Sequence, residues 1–301
     1  MKIDNFALTM FQTCPAKYRL RIVDGWTSRG RSGALGFGSA LHYGLAEWYR
    51  TGGNISKALL AINDGWPADM PIDDWRTKEK CVTTMIDYAK RYPQETFKVV
   101  GAPDSPVVEV AFTLDTGLYL PCPCTPETTE MASETCTICG HPREPIEYGG
   151  IYDMLIEFSD HLYVVDHKTT SIMGNGYFNQ FKPNNQMSGY IWAASKMSSK
   201  RVAGAFINGI GVYKSSATKF EREITSRSQA GLDEWLINLW HSCCAIDTCN
   251  RKGYWPLHTN ACTLYGLCEF HAVHSLEHES ERVKRLNTDY INDRWDYENR
   301  D

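Results

Sequence analysis

The chain has 301 residues, with 31 Lys and Arg against 36 Asp and Glu, for a formal charge of −5. At 43% hydrophobic and 22% charged it can bury a core and does not have a disordered composition. Its apolar stretches fall short of the roughly 18–20 residues a membrane helix needs. Asp4 sits where a secretory leader would be apolar, and the mild acidity argues against coating nucleic acid by charge alone. A cytoplasmic protein is therefore expected, and the length allows one large domain or two modest ones.

Along the chain, Pro15 after Cys14 predicts a helix start. Ser39 predicts a cap for the helix that follows, with Leu41, Leu45 and Trp48 as its core stripe and His42 beside it. A helix is predicted around 76–92, where Cys81 reads as a small core residue. From Val107 the period changes to two. Strands are predicted at 107–113 and 118–120, then, after a Pro/Thr/Glu/Cys-rich interval at 121–145, at 148–158 and 162–168 about a turn at Ser159-Asp160-His161. A helix at 184–197, strands at 202–213 and 219–224, and a long helix capped by Ser226 or Ser228 complete the order. This order predicts an α/β or α+β core with a helical N-terminal part, and the charged tail 275–301 reads as a solvated helix or frayed end.

The strand Leu162–Lys168 carries the sharpest chemical signal. Strand side chains alternate, so Asp166 and Lys168 share a face, and an antiparallel hairpin would bring Asp153 near Asp166. Two carboxylates and an amine at a strand end suit metal-assisted phosphodiester hydrolysis: the acids hold Mg²⁺ or Mn²⁺ and the lysine orients the attacking water. Taken alone, Asp-x-Lys is more often a surface ion pair.

Gly149-Gly150-Ile151-Tyr152-Asp153 followed by Val164-Val165-Asp166-His167-Lys168 resembles the RecB-like branch of the PD-(D/E)XK nuclease superfamily. Gln186 and Tyr190 resemble its Q-x-x-x-Y motif, Gly38–His42 the helix that supplies a histidine ligand, and Cys14-Pro15-Ala16-Lys17-Tyr18 its N-terminal signature. The resemblance implies a restriction-endonuclease-like core, a mixed sheet flanked by helices, as one nuclease domain over 1–274. It implies His42, Asp153, Asp166 and the main-chain carbonyl of His167 as metal ligands, Lys168 as the catalytic lysine, and Gln186 and Tyr190 as groups that support the site or contact the DNA backbone. Glu109 resembles an acid often found nearby. Tyr152 stands where the family pattern has proline, and an imidazole ligand makes Mn²⁺ a natural activator beside Mg²⁺.

Eleven cysteines in an intracellular chain point to metal before disulfides. Cys122-Pro123-Cys124 and Cys136-Thr137-Ile138-Cys139-Gly140 bracket a polar loop, the pattern of a Cys₄ zinc knuckle inserted at 121–145. Cys262 and Cys268 resemble the C-terminal cysteines that, with the N-terminal one, here Cys14, hold a four-iron four-sulfur cluster in the same branch. His274 stands where the last cysteine would fall. A three-cysteine, one-histidine shell, recruitment of His271, zinc in place of iron, and a site without metal all stay open. Cys243, Cys244 and Cys249 read as core or spare thiols.

Lys17, Arg19, Arg21, Arg29 and Arg31 against Asp24 give +4 within fifteen residues, with Tyr18 and Trp26 interleaved. Lys196, Lys200 and Arg201 form a second basic patch and Lys214 with Lys219 a third. Such patches suit a groove that tracks a nucleic-acid backbone or binds ends. The expectation is a metal-dependent DNA exonuclease of recombination, repair or end processing, often phage-encoded and then working in the host cytoplasm, on linear or single-stranded ends beside a recombinase or single-strand-binding protein. The alternative is a non-catalytic DNA-binding adaptor in a repair or CRISPR-adaptation complex.

Overall fold

The computed structural model describes residues 1–30, 32–71, 75–264 and 266–297; Arg31, residues 72–74, Tyr265 and the last four residues lie outside them. The chain divides into two compact units. One comprises Met1–Arg29, Phe112–Gly150 and Asp233–Asp301, and the other Gly30–Ala111 and Ile151–Leu232. No helix among the described residues is long and apolar enough to cross a membrane.

The second unit holds the carboxylates and the lysine. Its hairpin is formed by the strands Pro145–Phe158 and His161–Thr170, paired antiparallel with Phe158 opposite His161. Ser159 and Asp160 take left-handed φ values of 48° and 62°, as a two-residue turn matched to strand twist requires. His161–Thr170 runs parallel to Val202–Gly211, which pairs antiparallel with Lys219–Ser226, so the sheet is mixed. Helices Gly33–Arg50, Ile55–Asp64 and Lys78–Arg91 pack on it through one core. Leu41, Leu45, Cys81 and Met85 are fully buried there beside Met154, Ile156 and Val165. Burying a Leu-sized side chain stabilises by about 1.5–3 kcal/mol, so this core holds the histidine helix against the lysine strand.

Ser39 is not the helix cap. The helix starts at Gly33, with Ser32 in the cap position and Gly36 N–H donating to Ser32 O at 3.0 Å. Glycines disfavour a helix locally, which is why the pattern suggests a later start. Tertiary contact explains them: a Cβ on Gly44 would come within 2.6 Å of Ile62, and one on Gly38 within 3.2 Å of Thr169.

In the first unit, Lys2–Asp4 pairs parallel with residues 147–149, and Trp26–Ser28 pairs antiparallel with Tyr290–Asn292. The two strands predicted at 107–113 and 118–120 form one, Val108–Tyr119, in which Gly117 takes a φ of 73° and its N–H donates to Asp115 Oδ1 at 2.8 Å. The tail departs from a purely solvated reading. Its helix Glu279–Asp289 buries Leu286, and with Tyr290 this side chain packs on Phe270 and Val273.

Candidate active site and metal centres

The register that sets Met154 opposite Val165 brings Asp153 level with Asp166. His42 lies between acceptors, with Nδ1 3.3 Å from Asp153 Oδ1 and Nε2 3.0 Å from the His167 carbonyl. The main-chain N–H of His167 donates to Asp153 Oδ2 at 2.5 Å. Glu109 completes this group: donor atoms of His42, Glu109 and Asp153 all lie within 4.8 Å of one another. Glu109 adopts a left-handed φ of 54°, a conformation that non-glycine residues hold at a cost and that clusters at functional sites.

Asp166 faces Lys168 instead of that group. Lys168 Nζ lies 2.8 Å from Asp166 Oδ2 and donates to Gln186 Oε1 at 2.9 Å. Gln186 Nε2 donates in turn to the Tyr190 hydroxyl at 3.1 Å. The helix Asn185–Met197 makes this possible by placing the two residues one turn apart, and its first turn is capped by the Asn184 side chain accepting from Met187 N–H. Asp166 Oδ2 is buried and, despite the nearby ammonium, has no properly oriented hydrogen bond. Lone pairs left over in this way, with imidazole and carboxylates adjacent, suit a hard divalent cation.

The charges are unevenly set. Burial pulls the His42 imidazole down, but Asp153, hydrogen-bonded to it, and Glu109 push it up to about 9. Burial would raise the Asp153 carboxyl, yet His42 and His167 outweigh it and hold the group below the usual carboxylate range. Burial raises Asp166 even though the Lys168 ammonium opposes it. Without metal, then, a doubly donating imidazolium sits on Asp153 Oδ1 and the His167 carbonyl and acts as a surrogate cation. A real cation must displace its proton. Apparent Mn²⁺ affinity, measured calorimetrically, is expected to rise up to about tenfold per pH unit as pH climbs toward 9, where His42 itself titrates, and then to level off. The sign for stability is opposite. His42 is raised, so in metal-free protein its ion pair contributes fully below its ordinary value of 6.5 and is lost as pH rises through about 9.

A model of the PD-(D/E)XK nuclease superfamily matches residues 6–273. The chain belongs to that superfamily. PD-(D/E)XK nucleases use divalent metals, and the mixed sheet with flanking helices is their fold. No curated protein matches the sequence. Among solved structures, the fold is similar to that of a protein from Eubacterium rectale named provisionally as an exonuclease. The TM-score is 0.52 and the identity 11%, over 92% of this chain and 89% of that one, a likeness of fold.

This PD-(D/E)XK nuclease carries a second donor group in its first unit. The sulfurs of Cys122, Cys124, Cys136 and Cys139 lie together, with Cys124 3.3 Å from Cys122 and from Cys136, and Cys122 3.6 Å from Cys139. Zn–S bonds of about 2.3 Å put tetrahedral sulfurs about 3.8 Å apart, so the four thiols fit one metal with slight expansion. Gly140, with φ 70°, turns the knuckle, and Cys136 N–H donates to His141 O at 2.9 Å. Main-chain N–H groups of Cys139 and Ile138 hold the Cys136 thiol down at about 6, so it is a ready thiolate. Buried Arg143 closes the neck of the loop, donating to the carbonyls of Leu120 at 2.7 Å and Tyr119 at 3.0 Å.

Cys14, Cys262, Cys268 and His274 are less gathered. Among the described residues they do not form a donor group of the tightness seen at the other two sites. Cys268 N–H does donate to Cys262 O at 2.8 Å, and the Cys262 thiol is pushed up by burial and then by Cys268 and Cys14. His274 Nε2 is buried without a hydrogen-bond partner, whereas His271 Nδ1 lies 3.4 Å from the Ser275 hydroxyl. The donor chemistry fits a metal; the spacing as it stands does not close around one. Cys243 and Cys249 are buried, as a structural role requires.

Several cations of the basic patches are engaged within the chain. Lys17 pairs with Glu269 at 3.1 Å and Arg19 with Asp24 at 3.4 Å, while Arg21 is buried and donates to the Asp293 carbonyl at 2.7 Å. Lys200 pairs with Glu157 and Lys219 with Glu221. Arg31 lies outside the described residues. Arg19 and Lys219 meet acids close by in sequence, whereas the fold brings Glu269 to Lys17 and Glu157 to Lys200.

Proposed function

We propose that this nuclease is a metal-dependent DNA exonuclease that hydrolyses linear or single-stranded ends in recombination, repair or end processing, of the kind phages and mobile elements carry. Its place of action would be the cytoplasm, the host's if it is phage-encoded, and a recombinase or single-strand-binding protein would be its partner. The observation that carries the reading is the convergence of His42, Glu109 and Asp153 beside a lysine held by Asp166 and Gln186.

When bound, Mg²⁺ or Mn²⁺ supplies Lewis acidity, lowering the pKa of water and drawing charge from the phosphate. The chain's residues do the rest. His42, Asp153, Asp166 and the His167 carbonyl would hold the cation, and Glu109, whose carboxylate lies with His42 and Asp153, would join them. Lys168 Nζ orients the attacking water and offsets the negative charge that develops on the phosphate oxygens. Gln186 keeps the ammonium from swinging out, and Tyr190 keeps Gln186 in place. Residues 1–274 act as one nuclease domain with the insertion at 121–145, and 275–301 as its charged tail.

The test compares linear duplex, linear single-stranded and covalently closed circular DNA with Mn²⁺, Mg²⁺ or EDTA. Progressive release of mononucleotides or short oligonucleotides from linear substrates, with closed circles spared and EDTA abolishing the reaction, is expected. Cutting of closed circles would replace the exonuclease reading with an endonuclease one, and inertness on every substrate would favour the adaptor.

The same reading places zinc at Cys122, Cys124, Cys136 and Cys139, and a four-iron cluster at Cys14, Cys262, Cys268 and His274. What supports the cluster is the resemblance of these cysteines to the branch's ligands, together with His274 Nε2, buried without a hydrogen-bond partner. Anaerobically purified protein is expected to contain about four irons per chain and to show a broad visible absorption band. Colourless protein holding zinc alone would overturn the assignment.

A further inference from the structure

Buried behind the site are polar groups with no part in the chemistry above. Asn208 lies on the strand Val202–Gly211 and Arg222 on the strand Lys219–Ser226. Glu95, Tyr49 and Tyr88 complete the set. Their hydrogen-bond directions follow from one end. A guanidinium can only donate, so Arg222 Nε, 3.0 Å from Asn208 Oδ1, decides which end of the amide is oxygen. Asn208 Nδ2 then faces the Tyr88 hydroxyl at 2.9 Å and His167 Nδ1 at 2.7 Å. An amide nitrogen also only donates. His167 Nδ1 is therefore a bare acceptor, and the ring proton sits on Nε2.

The rest of the network holds Arg222 itself. Its terminal nitrogens reach both carboxylate oxygens of Glu95, at 2.7 and 2.8 Å, and donate to the hydroxyls of Tyr88 at 2.8 Å and Tyr49 at 3.2 Å. The Tyr49 hydroxyl donates to Glu95 at 2.6 Å, and its ring lies against the His167 imidazole with centroids 5.8 Å apart and planes 11° from parallel. Asn208 and His167 are 1% and 3% exposed, so water cannot substitute for a lost partner.

The main chain of His167 looks the other way. Its N–H holds Asp153 Oδ2 and its carbonyl holds His42 Nε2. One residue thus links the buried network to the proposed metal donors on two elements, and Tyr49 lies on the same helix as His42, two turns on. We propose that Asn208, backed by Arg222, is a positioning residue: it locks the His167 ring in one tautomer and orientation, and thereby sets the peptide groups that aim Asp153 and His42. The inference rests on the nuclease reading above for its consequence in catalysis, though not for its geometry.

The test uses Asn208→Asp, which keeps shape and the acceptor for Arg222 but removes the donor to His167, with Asn208→Leu as a second variant. Four quantities are read on the full chain: Mn²⁺ affinity, His167 ring ¹⁵N shifts, kcat against KM on linear DNA, and melting temperature. Wild type is expected to carry the ring proton on Nε2. Asn208→Asp is expected to move it to Nδ1, and to weaken Mn²⁺ binding and lower kcat by about 10–100-fold with KM little changed, the range for lost support behind a metal ligand. Should Asn208→Leu fail to fold, the isosteric Asp variant decides alone. A folded Asn208→Asp protein with Mn²⁺ affinity and kcat within twofold of wild type overturns the proposal, as does a wild-type ring protonated on Nδ1. If wild type cleaves nothing, the nuclease reading falls, while Mn²⁺ affinity and the ring tautomer still decide the positioning role.

Discussion

Replacing Lys168 with alanine is expected to lower kcat on linear DNA about 10³-fold, the scale on which a single preorganised charge or proton-handling group acts. The ammonium is held by two partners, Asp166 Oδ2 and Gln186 Oε1, so its position costs no reorganisation during reaction. Asp166 responds in a second way. Its carboxyl is already raised by burial, and Lys168 opposes this more than any other group, so the variant should take up a proton at Asp166 at a higher pH than wild type. Mn²⁺ binding should survive above the pH at which Asp166 takes up its proton, because His42, Glu109, Asp153 and ionised Asp166 then all remain and a competing positive charge is gone. Folded Lys168→Ala protein that cleaves at the wild-type rate would remove the lysine from the mechanism. Gln186→Ala should lower kcat less, since the ammonium keeps one of its two anchors.

The second large effect is expected at the knuckle. Cys136→Ser should lose zinc and release residues 121–145 to proteolysis, while cleavage of the protein elsewhere stays slow. The loop has little else to order it: Ile138, its aliphatic side chain between the second cysteine pair, is 75% exposed. Structural zinc contributes about 10–16 kcal/mol of binding free energy in small zinc-finger peptides, far more than the hydrogen bonds at the neck from Arg143 could supply. Cys136 is the position to change because its thiol is the one held low by main-chain donors. Zinc content by elemental analysis and limited proteolysis together decide it. A wild-type protein without metal, or a variant that retains zinc and resists cleavage at 121–145, would contradict the expectation.

Local patterns made much of the site legible. The Asp166–Lys168 pair follows from strand alternation, the Asp153 alignment from a hairpin turning at 159–161, which the structure narrows to Ser159 and Asp160, and the Gln186–Tyr190 pair from helical spacing. Each is a short-range rule that a few residues can satisfy. The cysteine knuckle is equally local, since Cys-x-Cys and Cys-x-x-Cys-Gly dictate their own turns. Glu109 was visible as a nearby acid but not as a member of the donor group, because its left-handed backbone is not encoded by any glycine or asparagine.

Other features had no linear signature. Asn208, Arg222 and Glu95 are scattered over more than a hundred residues and look like ordinary strand and loop positions until the sheet stacks them behind His167. The partners of Lys17, Arg21 and Lys200 had no signature either, because Glu269, Asp293 and Glu157 lie far away in sequence.

The sequence by itself determined the superfamily, the mixed-sheet core, the Asp153, Asp166 and Lys168 constellation and the Cys₄ knuckle. The carboxylate–lysine constellation and the knuckle rest on periodicity, turn chemistry and ligand spacing, which act over a few residues. The superfamily and its mixed sheet come from the resemblance of the motifs taken together. Only the tertiary structure decided that Glu109 joins His42 and Asp153, that the tail packs on Phe270, and that His167 is anchored from behind. Those outcomes depend on which distant side chains burial forces together, and on which buried polar groups must then find partners.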